Sequence, residues 1–208
     1  MNFEILVGFM MATAVLAISP GPDNIYVLMQ SIVNGKKYGL ATVAGLISGC
    51  LVHTTLLAFG VSAIIKQHDS LFFIIKLFGA CYLFYLAYQV YKNSDAIDLN
   101  DKSVPEKSLF QLFKQGFFMN VLNPKVAIFF LAFFPGFLFS DTLSTAIQFY
   151  VLGLLFMFVS AILFCLIAIL ASAIAEYVKR NSKTGYILKW MQIYVFIAIG
   201  VYILLSDK

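Results

Sequence analysis

The sequence predicts an all-α membrane protein, with six transmembrane helices arranged as two inverted three-helix repeats whose first and fourth helices are broken. Three observations lead there. Of 208 residues, 62% are hydrophobic and 12% charged, with a mean hydropathy of +0.92. That is more apolar surface than a water-soluble core of this size can hide. Two long apolar segments, roughly Phe3 to Val33 and Leu109 to Phe139, are each interrupted by a polar cluster containing proline. The interruptions fall half a chain length apart, at Pro20 and at Pro124.

Each broken segment would make roughly 46 Å of helix, against about 30 Å of hydrocarbon, so neither crosses as one straight, upright rod. In the first, Ser19-Pro20-Gly21-Pro22-Asp23-Asn24 interrupts the run. Pro20 and Pro22 remove backbone donors and crowd the preceding turn, leaving polar backbone groups at membrane depth. Such groups survive only inside protein or beside a wet cavity. Four unbroken apolar runs complete the count, at about Gly39 to Ile65, Leu71 to Tyr91, Thr145 to Ile174 and Tyr186 to Leu205. Outer-membrane strands of alternating polarity are absent. Residues 1–18 lack a basic start, carry Glu4 and lead into Ser19-Pro20, so the first helix is expected to be retained rather than cleaved.

Residues 1–92 form the expected first repeat, 93–108 a polar cytoplasmic linker, and 109–208 the second repeat. Three spans is an odd number, so the second repeat enters the bilayer from the opposite side. Basic residues set the orientation, because cytoplasmic loops carry the Lys and Arg excess. Lys36 and Lys37 follow the first span; Lys92, Lys102, Lys107 and Lys114 surround the linker; Lys179, Arg180, Lys183 and Lys189 surround the connection into the sixth span. Lys66, Lys76 and Lys208 fall on the other side and Lys125 within a span. Both termini are therefore expected outside the cytoplasm. The net charge of +4 suits loops facing an anionic leaflet and calls for no nucleic-acid partner. Cys50, Cys81 and Cys165 sit in apolar runs without a CxxC or a disulfide framework.

In the second span Ala41, Gly45 and Gly49 recur every fourth residue, a ridge of small side chains that admits a neighbouring helix closely. Packing within one subunit is the expected use, with a homodimer seam as the alternative. Tyr82, Tyr85, Tyr88 and Tyr91, with Trp190 and Tyr194, read as interfacial belts, an aromatic substrate cage being the other reading.

Asp23 is the sole acid in the middle of any span, and Lys125 the sole base. A charge at that depth costs several kcal/mol unless it is paired or wetted, so each is a candidate for substrate contact or proton coupling. Asp23 could instead cap a half-helix starting at Asn24, and Lys125 could snorkel to a surface. Asn120 and Asn123 offer amides near the second break, although Asn123 before proline could serve only the turn. His53, on the ridge of the second span, could relay protons or rest as a satisfied neutral imidazole. Hydroxyls such as Thr42, Ser48, Thr54 and Ser160 are weak signals, since in membrane helices they often bond their own backbone. The half-helices expected from Asn24 and near Val126 turn their positive ends to the breaks. A zwitterion suits this set, its carboxylate toward a helix start or Lys125 and its ammonium toward Asp23.

The SPGPDN at residues 19–24 and GFFMNVLNPKVAIFFLAFFP at 116–135 resemble the LysE/RhtB family of amino-acid exporters, with weaker support from residues 39–61 and 76–92. The resemblance implies six helices in two inverted repeats, a prokaryotic inner membrane, and efflux of amino acids or related metabolites driven by protons. Its two motif breaks correspond to Pro20, Gly21, Pro22, Asp23, Asn123, Pro124 and Lys125. No cofactor, metal or enzymatic activity is implied. A membrane thiol-disulfide conductor needs paired cysteines at the breaks, and these contain none. An intramembrane hydrolase lacks a nucleophile motif, and His53 and His68 form no metal pattern. A passive channel remains an alternative, because broken helices also line pores. The expected mechanism is alternating access in which Asp23 titrates and changes its interaction with Lys125.

Overall fold

The computed structural model describes residues 2–19, 21–61, 69–92, 107–181 and 184–205. Pro20, His68, Lys66, Lys102, Lys183, Lys208 and linker residues 93–106 lie outside them. The described residues are helical, without a strand: α1 (Phe3–Ile18), α2 (Pro22–Val33), α3 (Lys36–Leu56), α4 (Asp69–Lys92), α5 (Leu109–Val121), α6 (Pro124–Phe133), α7 (Thr145–Ile169), α8 (Ala171–Arg180) and α9 (Thr184–Leu205). Four helices are long and apolar enough to cross a membrane, or up to six crossings if each bent pair counts as one. The bent pairs are α1 with α2, inclined by 59°, and α5 with α6 and its 3-10 extension, inclined by 51°.

Local sequence sets the boundaries. Asn2 caps α1 by accepting from the Glu4 amide (3.1 Å), and Glu4 places negative charge at the positive helix end. Phe9, Thr13 and Ala17, four residues apart, form the buried stripe of α1, whereas Phe3, Val7, Met11, Val15 and Ile18 form an exposed apolar face suited to lipid. Gly35 turns the chain from α2 into α3 at φ 102°, a conformation costly for any side chain with a Cβ. Ser108 and Gln111 make a reciprocal capping box at the start of α5. Ser144 caps α7 through the Ile147 amide.

The second apolar run departs from the expected single helix at its end, where α3 passes into a π-helical turn over Leu57–Val61. The fifth run, expected to reach Ile174, stops at Ile169. Leu170 closes α7, and the amphipathic α8 follows as a separate short helix packed on α2 and α7.

Close packing comes from the small-residue ridge. A methyl added to Gly45 would overlap the Phe113 carbonyl oxygen and come within 2.8 Å of the Phe117 nitrogen. Reciprocally, a methyl on Gly116 would overlap the Thr42 carbonyl oxygen. The ridge of α3 thus receives α5 of the same chain, backbone against backbone, the approach that membrane helices use where lipid offers no hydrophobic drive. α4 lies along α9, where Gly200 admits the Phe84 ring. The core between α1, α6 and α7 is a phenylalanine stack: Phe129 on Phe133 at 4.4 Å between ring centroids, Phe130 on Phe134 at 4.2 Å, with Phe9 and Phe156 edge-on to Phe134 and Phe130 respectively.

Candidate functional site

At the first break α1 stops at Ile18. The Ser19 amide bonds the Val15 carbonyl, and Asn24 Nδ2 donates to the Ala17 carbonyl at 2.8 Å, satisfying an acceptor that the broken helix would leave open. α2 begins two residues earlier than the sequence suggested. Gly21, in extended backbone (φ −155°, ψ 175°), is its N-cap, and Pro22 occupies the first helical position, where no amide donor is needed. Asp23 is therefore a first-turn residue rather than the cap, and its carboxylate bonds the other half of the protein.

At the second break α5 ends at Val121. The Asn120 carbonyl accepts from the Asn123 amide (3.0 Å) and from His53 Nε2 (3.1 Å). A carbonyl oxygen only accepts, so His53 carries its proton on Nε2. Asn123 caps α6, which starts at Pro124 rather than near Val126: its Oδ1 accepts from the Lys125 amide at 3.0 Å, again with proline in the first position.

The two breaks meet. Asn123 Nδ2 donates to Asp23 Oδ2 at 3.2 Å, so one side chain both caps its own half-helix and holds the carboxylate of the other. Lys125 reaches back across the gap. Its Nζ lies 3.5 Å from where a Cβ on Gly21 would sit and 4.7 Å from the centroid of the Phe196 ring on α9, a cation–π distance. Among the described residues Lys125 has no hydrogen-bond acceptor and makes no ion pair with Asp23 within 4.0 Å. The ammonium and the carboxylate instead line one cavity of about 60 Å³.

That cavity is bounded by Leu16, Ala17, Asp23 and Asn24 from the first break, Leu46, Ile47 and Cys50 from α3, Asn120, Lys125, Val126 and Phe129 from the second break, and Phe156, Ser160 and Phe164 from α7. Of the residues singled out in the sequence, Asp23, Asn24, Asn120 and Lys125 share this wall, and Asn123 stands behind it. His53 does not line it. It is buried against Phe130 and holds the end of α5. Sequence reasoning missed Phe196, and it read Ser160 only as a weak hydroxyl signal and Cys50 only as a small apolar side chain. Cys50 donates weakly to Leu46 O and receives Asn120 Nδ2 at 3.6 Å. Cys81 and Cys165 lie away from the cavity, and all three thiols are free.

The chain matches the model of the LysE type translocators over residues 14–207. It belongs to the LysE type translocator family. It is also similar to two curated proteins, the homoserine/homoserine lactone efflux proteins of Salmonella typhimurium (strain LT2) and Salmonella typhi. Each is 32% identical over 179 residues, covering 86% of this chain and 86% of the relative. No solved structure matches the chain. The described cavity thus belongs to a multi-pass membrane transport protein, and its residues are to be read as those of a transporter rather than of an enzyme.

Proposed function

We propose that this translocator exports amino acids or related small zwitterionic metabolites across the inner membrane of a prokaryote, exchanging them for protons by alternating access. The observation that carries the reading is the shared cavity. One carboxylate and one ammonium, each carried by a proline break in a different half, face a single small space. A zwitterion offers the opposite charge to each. The relatives' names supply the substrate class: both are efflux proteins for homoserine and its lactone.

The inverted repeat is supported by the packing pattern. Equivalent helices of the two halves, α3 with α7 and α4 with α9, lie against one another, and the contact of α3 with α5 has its counterpart in α7 with α1. With that symmetry and the basic residues at the inner ends, both termini face away from the cytoplasm. A cavity of about 60 Å³ takes a few waters. An amino acid enters when the halves rock apart, with the Asn123–Asp23 link and the position of Lys125 differing between the two orientations. Protonation of Asp23 biases that equilibrium because it changes an interaction made in one state and not in the other.

Purified protein in liposomes with an imposed pH gradient should drive homoserine against its concentration, and Asp23→Asn should retain folding but lose the response to the gradient. Gradient-driven transport by Asp23→Asn equal to that of the parent would reject Asp23 as the coupling group, and the absence of any amino-acid flux from the parent protein would reject the exporter reading.

A further inference from the structure

Hydroxyl groups in these helices follow one habit with telling exceptions. Ser31, Thr42, Ser48, Thr54 and Thr55 each donate to the carbonyl four residues back, at 2.7–3.1 Å. Thr13 on α1 and Ser19 at the first break, neither of them on the cavity wall, are buried with their hydroxyl oxygens unpartnered. Ser160 on α7 is a third such hydroxyl. It is 2% exposed, and its Oγ has no hydrogen-bond partner although the same kind of backbone acceptor stands one turn away. Asn120, 5% exposed, uses its backbone carbonyl on His53 and Asn123 and its Nδ2 on Cys50, yet leaves Oδ1 without a partner. Both side chains line the cavity that holds Asp23 and Lys125. A buried polar atom left unpaired costs stability, so a protein that keeps two of them on one small cavity gains elsewhere.

We infer that Ser160 and Asn120 form a side-chain subsite that reads a hydroxyl on a short, uncharged amino-acid side chain. The inference rests on the export reading above and adds the groups that would select among zwitterions. Asp23 and Lys125 match the ammonium and carboxylate that every amino acid carries, so they cannot discriminate by side chain. Both atoms are closed to water in this arrangement, so they meet a solute hydroxyl only once the halves rock apart; Asn120 Oδ1 then accepts from it, and Ser160 Oγ can donate or accept. Gly49 makes room for this arrangement. A Cβ there would stand 2.7 Å from Asn120 Oδ1, so any side chain at that position would push the amide out of place. The rest of the wall, including Leu46, Phe129 and Phe156, offers nothing to a second charge. Discrimination follows the general asymmetry of recognition: polar groups that must be paired reject an analogue lacking the hydroxyl far better than an apolar pocket rejects one carrying it.

The test compares homoserine with norvaline, which replaces the hydroxyl by a methyl at nearly the same size, in proteoliposomes. The parent protein should prefer homoserine. Ser160→Ala should shift the homoserine-to-norvaline ratio toward norvaline by roughly three- to tenfold, the scale of one neutral hydrogen bond, and Ser160→Thr, which keeps the hydroxyl, should restore the preference. Because Ser160→Ala removes an unpaired buried hydroxyl, its thermal stability should match or exceed that of the parent, which separates selectivity from misfolding. An unchanged ratio in Ser160→Ala, or an equal loss for both solutes that Ser160→Thr shares, would overturn the subsite while leaving the exporter standing. No flux of either solute through the parent protein would overturn both.

Discussion

Asn123 is the residue on which the two halves depend most visibly, because it makes two bonds in two directions. Replacing it by alanine removes the cap of α6, about 0.5–2 kcal/mol, and a hydrogen bond to a carboxylate, about 1.5–3 kcal/mol. A combined loss of about 3 kcal/mol corresponds to a fall of roughly 6–12 °C in the melting midpoint of a protein of this size. Serine separates the two roles. It is as good an N-cap as asparagine but too short to reach Asp23, so Asn123→Ser should recover about a third of the lost stability and none of the link. If the link exists in only one orientation of the halves, its loss shifts their equilibrium by roughly 10- to 150-fold. Thermal unfolding in detergent and homoserine flux in liposomes, measured on both variants, read the two effects separately. Full recovery of stability and flux by Asn123→Ser would reduce Asn123 to a helix cap and refute the bridge between the breaks.

Other consequences follow from the packing. Gly45→Ala places a methyl where the Phe113 carbonyl oxygen stands, a backbone atom that cannot swing aside. Membrane-inserted, folded protein should fall several-fold by fluorescence-detected size-exclusion, and Gly60→Ala, which meets nothing within 4 Å, should leave the yield unchanged. Gln148, 3% exposed, accepts from the Phe139 and Ser140 amides and donates to the Ser140 and Leu143 carbonyls, tying down the loop before α7. Gln148→Leu should cost about 3 kcal/mol or more through these unpaired backbone groups, visible as a lower melting midpoint and faster proteolysis within residues 138–144. Lys125→Met should preserve the fold, since among the described residues the ammonium makes no hydrogen bond, yet abolish flux; intact flux with a normal melting midpoint would remove Lys125 from the site.

Much of this architecture was legible because proline and charge stand out in an apolar chain. Pro22 and Pro124 marked the breaks, and Asp23 and Lys125 were conspicuous as isolated charges. The half-helix starts were misplaced by two residues because proline was read as the interruption, whereas at both sites it is the first residue of the new helix. The stop at Leu170 was hidden, since Ile-Leu-Ala-Ser contains neither proline nor glycine and the boundary shows only as a change from a uniformly apolar helix to an amphipathic one. The place of Ser160, Cys50 and Phe196 at the site was illegible for a different reason. Cys50 and Phe196 belong to the site through contacts with Asn120 and Lys125, distant in sequence, and nothing in an apolar run tells which hydroxyl forgoes its own backbone to line a cavity. His53 drew notice as a lone imidazole, but its partner, the Asn120 carbonyl, exists only because α5 is broken.

The central claim is that the carboxylate and the ammonium of the two breaks hold the opposite charges of one small solute, and a binding cycle tests it most directly. Calorimetry would compare homoserine with 3-aminopropanol, which lacks the carboxylate, on the parent protein and on Lys125→Met. If Lys125 meets the carboxylate, the variant weakens homoserine at least tenfold and leaves the already weak 3-aminopropanol unaffected, so the two changes are strongly non-additive. Equal weakening of both ligands by Lys125→Met would show that the ammonium does not contact the solute, and would contradict the account.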